Sequence, residues 1–556
     1  MPRCQQCQQE FEISPADLKY YQRIAVPPPV LCFTCSKIKQ LNWRNERVFY
    51  LRQCDLCRQN MVSCFTAEAK HPVYCNDCWW GDKWNPLNSG QEFDFSRSFF
   101  DQFAQLLNKT PLGNLFIATS ENSEYTNLCV SNKNCYMVTA SDYNDTGAYS
   151  SYSSYNRDMV DCTEVKNSEL CYDSVDLDRC YQCWWSQNLK GCSHCYFCLN
   201  CNGCTDCFGC VNLRNQSNCY LNKQLTKEDY QNKLAGLKLN THDGYDQAQT
   251  MFNQFKVQQI YPFARHLNSS GSTGNYLTNC QNCRNCYNML DCVDCFNCIH
   301  GDKSKDCFES MGVVNSELVY NSVACPVNNN TKFSAIIWPG SSNILYSFLC
   351  RTINDCFGCV ALHSHRYCIL NKQYTEEEYR KLLPKIIDHL KQTGEWGQFF
   401  PMAICPWAYN ESVGQDLFLL TKEQVLAIGG WWQDRLPGTI DKETIQLTDL
   451  NIDIDPDKMT GQILACQKCK RNYKLISQEL TFYKRLGIPI PHFCPECRHQ
   501  QRMALRNPKR LWSRRCWCSQ TGHGHQGQCS IEFETTYAPE RMEKIYCGEC
   551  YQKEIY

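Results

Sequence analysis

Between Cys192 and Cys210 the chain reads CSHCYFCLNCNGCTDCFGC, seven cysteines at every third position without a break. A β-strand returns a side chain to one face every two residues and an α-helix every 3.6, so neither ordinary element explains the spacing. The register persists. Every cysteine from Cys129 to Cys219 shares it, those from Cys280 to Cys325 share a register of their own, and those from Cys350 to Cys368 share another, shifted by one step. A coiled solenoid of short strands and corners does explain it, provided the rung length is divisible by three; the spacings of three and nine predict rungs of about 18 residues. Stacked rungs then bury a narrow column of cysteine, a small hydrophobe that buries readily, together with Tyr, Phe and Leu. Asn-rich corners such as NCNG and NSSG accept left-handed dihedrals and can ladder by hydrogen bonds. A zinc-thiolate cluster and oxidised pairs are the rival uses of these thiols. Serine stands at related places in TGAYSSYSSYNRDMVDC. A ladder tolerates that serine, whereas a metal cage requires its ligand.

The middle is written twice. CTDCFGCVNLRNQSNCYLNKQLTKEDY at 204–230 matches INDCFGCVALHSHRYCILNKQYTEEEY at 353–379, pairing Cys207 with Cys356, Cys210 with Cys359 and Cys219 with Cys368. Each copy closes on a capping box, Thr226 with Asp229 and Thr375 with Glu378, so a helix is predicted to start there in both halves. Pro384 is expected to bend or interrupt the second helix.

The ends are also one module written twice. CQQCQQEFEISPADLKYYQRIAVPPPVLCFTC begins at Cys4 and CQKCKRNYKLISQELTFYKRLGIPIPHFCPEC at Cys466, with Tyr21 matching Tyr483 and Arg23 matching Arg485. Two CxxC pairs give a tetrahedral four-thiolate shell that suits zinc, with iron as the alternative. The first site of each module is therefore Cys4, Cys7, Cys32 and Cys35, or Cys466, Cys469, Cys494 and Cys497. A short helix is predicted inside each, over SPADLKYYQR and ISQELTFYKR. A second site follows in each copy. Cys54, Cys57, Cys75 and Cys78 form it at the front, and Cys64 reads as spare. At the back Cys516 and Cys518 join Cys547 and Cys550; Cys529, His523 and His525 lie in the loop between, and any of them could displace Cys518. The expected content is about four Zn2+ per chain, in closed structural sites.

The net charge of −1 hides a local excess. From Arg498 to Arg515 the sequence RHQQRMALRNPKRLWSRR carries seven Lys or Arg and no carboxylate. Arg498, Arg502, Arg506, Arg510 and Arg514, with Trp512 for stacking, are candidates for nucleic-acid binding. The alternatives are a protein-protein patch, a solvated face, or a clamp on the chain's own acidic segment from Asp142 to Asp178.

The 45 cysteines are an odd number, and MPRCQQCQQEF carries no apolar signal region, so a reducing, cytoplasmic location is expected rather than a disulfide scaffold. No run of 18 apolar residues predicts a membrane span. Linking helices are expected in FDFSRSFFDQFAQLL, capped by Asp94 or Ser96, and in TKEQVLAIGGWW, capped by Thr421 with Gln424. LNIDIDPDKMTG reads as a polar loop. His194 and His300 lie near cysteines, but no nucleotide-binding, metalloprotease or hydrolase motif is present, so a non-enzymatic reading is favoured.

RNERVFYLRQCDLC at 44–57, VYCNDCWWGDKWNP at 73–86, the phrase closing each solenoid and FETTYAPERMEKIYCGECYQKE at 533–554 resemble uncharacterised cysteine-rich multi-zinc-ribbon proteins of candidate-phylum bacteria. Some relatives carry a CoA-transferase label, which this sequence does not support: no transferase body with a carboxylate nucleophile is visible. The fold expected is mainly β, a duplicated cysteine-rich β-solenoid flanked by zinc-ribbon-like double zinc modules with short linking helices. The division is a double zinc-binding module at 1–90, a linking helix at 91–126, the first solenoid at 127–225, a helical connector at 226–270, the second solenoid at 271–374, a helical linker at 375–459 and a double zinc-binding module at 460–556. The expected function is a zinc-stabilised scaffold or interaction protein with a protein partner. Binding of RNA or DNA through the basic module is the first alternative, and metal or redox activity through the central thiols is the second.

Overall fold

A computed structural model describes residues 1–446 and 459–555 of the chain. Residues 450–458, most of the phrase LNIDIDPDKMTG, lie outside the described residues.

The middle of the chain is two parallel β-solenoids. The first runs from the strand Ile117–Ala118 to Lys223–Gln224, and the second from His266–Leu267 to Lys372–Gln373. Along most of both coils each residue pairs with the one 12 positions on: Ser193 lies beside Thr205, Cys195 beside Cys207, and Tyr196 beside Phe208. The rung is therefore 12 residues, not 18, and it is built from four triplets. Within a triplet the first residue points inward, the second lies in a strand or bridge, and the third turns the corner with a positive φ. Around one rung His194, Phe197 and Asn200 have φ of 50°, 52° and 57°. Left-handed backbone disfavours side chains with a Cβ, so the corners need compensation. Backbone pairing supplies it. The second residue donates to the rung ahead, as Ser193 N does to Cys204 O (3.0 Å), and the corner donates to the rung behind, as His194 N does to Tyr181 O (3.0 Å). Corner amides add ladders of their own, such as Asn282 to Asp294 (3.0 Å) and Asn330 to Asn343 (2.9 Å).

Four inward places per rung explain a thiol at every third residue. The inward column holds mostly Cys, Ser, Val and Asn, with larger apolar residues such as Met159, Leu177, Leu277 and Ile344 among them. Each inward thiol faces backbone oxygens: Cys201 Sγ lies 3.5 Å from Leu199 O and 3.6 Å from Cys210 O. Serine uses the same acceptors. Ser186 Oγ donates to Trp184 O (2.9 Å) and accepts from Cys198 N (3.0 Å). Inward asparagines stack too, with Asn144 Nδ2 donating to Asn132 Oδ1 (3.1 Å) and to Ser153 O (2.8 Å). The one-step change of cysteine register in the second coil is a single extra residue at the corner of Pro339 and Gly340, where Asn328 pairs with Ser341 across 13 positions instead of 12.

Each coil ends by turning back on itself. Cys219 pairs antiparallel with Gln224, and Cys368 with Gln373, which stops the parallel stack. The duplicated NKQ phrase is this hairpin. The predicted helices follow at Lys227–Gly236 and Glu376–Gln392, capped by Thr226 and Thr375. The second helix runs through Pro384 without interruption. The linking helix is Phe99–Lys109, capped by Ser98 rather than Asp94 or Ser96, because Ser98 Oγ accepts from Asp101 N. The capping box of Thr421 and Gln424 starts the helix Lys422–Ala427.

The two end modules cap and brace the coils crosswise. Ahead of the first coil, Leu112–Gly113 pairs with Val73–Tyr74 of the N-terminal module; ahead of the second, Ile260–Pro262 pairs with Lys544–Tyr546 of the C-terminal module. Each module thus caps one solenoid and docks its helices on the flank of the other. Tyr21 packs on Tyr320 of the second coil (ring centroids 5.7 Å apart), and its match Tyr483 on Tyr172 of the first (5.5 Å). Arg23 pairs with Asp306 (2.8 Å), and its match Arg485 with Asp158 (3.4 Å). Tyr152 and His300, equivalent corners of the two coils, stack on each other at 4.7 Å, where the pseudo-twofold halves meet.

Candidate metal centres and the basic segment

The four cysteines of each module's first site converge, their sulfurs within 4.8 Å of one another, and so do Cys54, Cys57, Cys75 and Cys78. A tetrahedron with metal–sulfur bonds of about 2.3 Å has edges of about 3.8 Å. Cys7 and Cys32 are 3.7 Å apart, Cys57 and Cys75 3.8 Å, and Cys469 and Cys494 3.6 Å. These sets fit one ion each. Local structure explains the convergence. In each set one CxxC pair flanks a turn and the other opens a helix: Cys32, Cys75 and Cys494 are N-caps of the helices Phe33–Leu41, Asn76–Trp80 and Pro495–Ala504. Backbone N–H groups also point at sulfur, as Cys75 N does at Cys54 Sγ (3.3 Å). Burial pushes the Cys54 thiol up, but the N–H groups of Cys57 and Cys75 outweigh it and bring the thiol down to about 6. The same balance at Cys466 brings it to about 7. Both thiols are poised to ionise, as ligation requires.

The last site differs from the expected set. The sulfurs that converge are Cys516, Cys529, Cys547 and Cys550. Cys518 faces the other way, into a second group with His523, His525 and Cys550, again within 4.8 Å. The duplication explains the exchange. Cys54 and Cys516 are 462 positions apart, but Cys57 and Cys529, Cys75 and Cys547, and Cys78 and Cys550 are each 472 apart. Ten residues have been inserted after Cys516, and Cys529 is the true counterpart of Cys57. Backbone pairing marks the same shift: Cys54 N donates to Gln59 O, and Cys516 N to Ile531 O, both at 2.9 Å. Counting back from the returning strand, which begins at Asn60 and at Glu532, would have found it. Cys64 is fully buried beside Trp407, and burial pushes its thiol up.

The central thiols form no such group; the five candidate sets all lie in the end modules among the described residues. Burial pushes Cys162 and Cys325 up to about 12, whereas hydrogen bonds from the neighbouring thiols of Cys180 and Cys195 bring Cys183 down to about 6. A sulfur facing carbonyl oxygens is stabilised as a thiol, not as a thiolate.

The basic segment is not one helical stripe. The helix ends at Ala504, Pro508 breaks the chain, and Trp512–Arg515 is a strand. Its first three arginines are buried against the carboxylates of the first coil. Arg498 pairs with Asp161 and with Glu479 (3.0 Å), and Arg502 with Asp161 (2.8 Å). Arg506 pairs with Glu164 (3.1 Å) and Asp176 (3.3 Å). The clamp on the acidic segment is the arrangement found for these three, so they are not presented to an external phosphate. Arg510 is exposed and lies over the half-buried Trp512 at 5.3 Å, while Arg514 donates to Ala538 O (3.2 Å). His194 stands at a corner against Tyr181, and His300 hydrogen-bonds Glu164 at 2.6 Å.

No helix among the described residues is long and apolar enough to cross a membrane. No protein-family model matches the chain, and no curated protein matches it either.

Proposed function

We propose that this protein is a non-enzymatic scaffold in which zinc-stapled modules lock two solenoids flank to flank and present their sides to a protein partner. The crossed placement of the modules carries the reading. Each closes the open edge of one coil and braces the other, so the thiolate sets lie where rigidity is made. Four-thiolate shells are closed, leaving no position for water or substrate, which supports structural zinc at four sites. The odd number of cysteines supports a reducing, cytoplasmic location. Kinship with multi-zinc-ribbon proteins belongs to the same proposal, since the segments that carry the resemblance at 44–57, 73–86 and 533–554 supply or flank the second metal sites.

A second reading, binding of single-stranded nucleic acid, is supported by exposed Arg510 stacked on Trp512. Metal or redox chemistry at the central thiols finds less support, because those sulfurs face carbonyl oxygens. The deciding experiment combines two measurements on the full chain purified without added metal. Elemental analysis should give at least four zinc per chain. Titration with single-stranded RNA at two salt concentrations should show no binding that weakens with salt and is lost in Arg510→Ala/Arg514→Ala. Fewer than four zinc would remove the stapling, and such RNA binding would favour the second reading.

A further inference from the structure

The ten-residue insertion in the C-terminal module carries ligands that the N-terminal module lacks. The front copy turns directly from Cys54 to Cys57; the back copy reads CWCSQTGHGHQGQC from Cys516 to Cys529. Cys529 restores the four-thiolate set, so Cys518, His523 and His525 are surplus to it. They are not dispersed. They gather on the outer side of Cys550, with Cys518 Sγ 3.1 Å from His523 Nδ1 and Cys550 Sγ 3.4 Å from His525 Nε2.

We propose that this end holds two zinc ions rather than one, with the Cys550 thiolate bridging them. One ion takes Cys516, Cys529, Cys547 and Cys550; the other takes Cys518, His523, His525 and Cys550. The proposal rests on the zinc reading of the first four sites, and extends it to a fifth ion.

Three observations converge on it. First, the His525 imidazole is oriented from behind by a hydrogen bond, as metal-bound histidines are, and His523 has a carboxylate on its outer side. His525 Nδ1 lies 2.8 Å from Gly527 O, so it carries the proton and leaves the Nε2 lone pair facing Cys550. His523 presents Nδ1 inward, while its Nε2 lies 3.6 Å from the Glu554 carboxylate. Second, the ligand set is two sulfurs and two imidazole nitrogens, a closed tetrahedral shell suited to zinc. Third, charge favours the second ion. A single ion among four thiolates keeps two excess negative charges. Adding the second ion with the Cys518 thiolate leaves one, and Lys553 lies beside it, donating to His523 O at 2.9 Å. Binding of the second ion releases the Cys518 thiol proton to solvent; no electrons move.

The test uses the full chain, purified without added metal, and its His523→Ala/His525→Ala variant, which leaves the four-thiolate set intact. Elemental analysis should give five zinc for the parent and four for the variant. Zinc X-ray absorption should show a metal–metal vector at about 3.5–4 Å in the parent that disappears in the variant. Cobalt substitution gives an independent readout: the variant should lose one cobalt per chain together with its share of the visible absorption. Four zinc in both proteins would overturn the fifth site while leaving the stapled scaffold standing. Five zinc retained in the variant would also overturn it. Fewer than four in both would overturn the two readings together.

Discussion

Replacing Asp161 by Asn should loosen the C-terminal module from the first solenoid. The Asp161 carboxylate is fully buried and receives two guanidiniums, Arg498 and, at 2.8 Å, Arg502. A hydrogen bond to a charged group contributes about 1.5–3 kcal/mol, and removing one member of a fully buried ion pair costs about 3–5 kcal/mol. Neither guanidinium would be orphaned. Arg498 keeps Glu479 at 3.0 Å, and Arg502 keeps Tyr149 O at 3.1 Å and Asp173 at 3.6 Å. The expected cost is therefore about 2–4 kcal/mol, or roughly 30- to 1000-fold more frequent opening. Hydrogen exchange of the helices Ser477–Leu486 and Pro495–Ala504 in the zinc-loaded protein reads this locally, which suits a chain with several cooperative units. Arg502→Met should cost about 3–5 kcal/mol, since Asp161 then keeps only Arg498. The double variant should cost less than the sum by about 1–3 kcal/mol, because it removes both charges of one pair. Unchanged protection in Asp161→Asn, or strict additivity in the cycle, would refute the clamp.

In the ladder, Cys201→Ala should cost about 1–3 kcal/mol by leaving a small cavity, whereas Cys201→Ser should cost under about 1 kcal/mol, because the hydroxyl finds the carbonyls that neighbouring serines use. Thermal shifts separate the two, and neither variant should change bound zinc. A strong chelator should release exchange protection first around the end modules and next at the strands they cap, Leu112–Gly113 and Ile260–Pro262, with the inner rungs last. Simultaneous loss throughout would contradict that order. Burial raises the Glu309 carboxyl to about 7, against an opposing pull from Lys37. A folded value above the unfolded 4.5 means that its contribution is present at low pH and lost as pH rises towards 7. Glu309→Gln should therefore flatten the decline of melting temperature over that window, and an unaltered slope would count against it.

Much of this was legible in the cysteines. A thiol at every third place leaves few options once strand and helix periods fail, and the helix caps Thr226 and Thr375 marked where each coil stops, though only Thr375 completes a capping box. The rung length was not legible. Spacings of three and nine fit any multiple of three, and only the pairing of strands, as in Cys195 beside Cys207, selects 12. The hydroxyl's partners were hidden for the same reason, since Ser186 accepts from the amide of a residue on the next rung. Cys518 misled because adjacency to Cys516 resembles a CxxC pair, whereas the count from the returning strand fixes Cys529. The arginine stripe was legible as charge but not as placement: its carboxylate partners on the first coil come from more than 300 positions earlier, as in the 341 separating Arg502 from Asp161.

The two docking seats are equivalent in backbone and different in charge, and that difference specifies which module goes where. The seat of Asp161 and Asp173 on the first coil corresponds to Glu309 and Asn321 on the second. Arg502 corresponds to Gln40, which donates to Glu309 O (2.7 Å) and to Asn321 Oδ1 (2.6 Å). Exchange the modules, and Gln40 would meet Asp161 and Asp173, leaving buried carboxylates without guanidinium partners. Arg502 would meet Glu309 and Asn321, keeping one carboxylate where it now has two. The first mismatch strands buried charge, at several kcal/mol, and the second halves the carboxylates around Arg502. The match at Gly312 adds a steric term. Glu164 stands at the equivalent corner of the first coil and pairs with Arg506, whereas Gly312 leaves room for Arg44, whose carboxylate comes from Glu46 on its own module. A duplicated chain must choose between two similar dockings, and here buried charge makes the choice that apolar packing alone would leave nearly balanced.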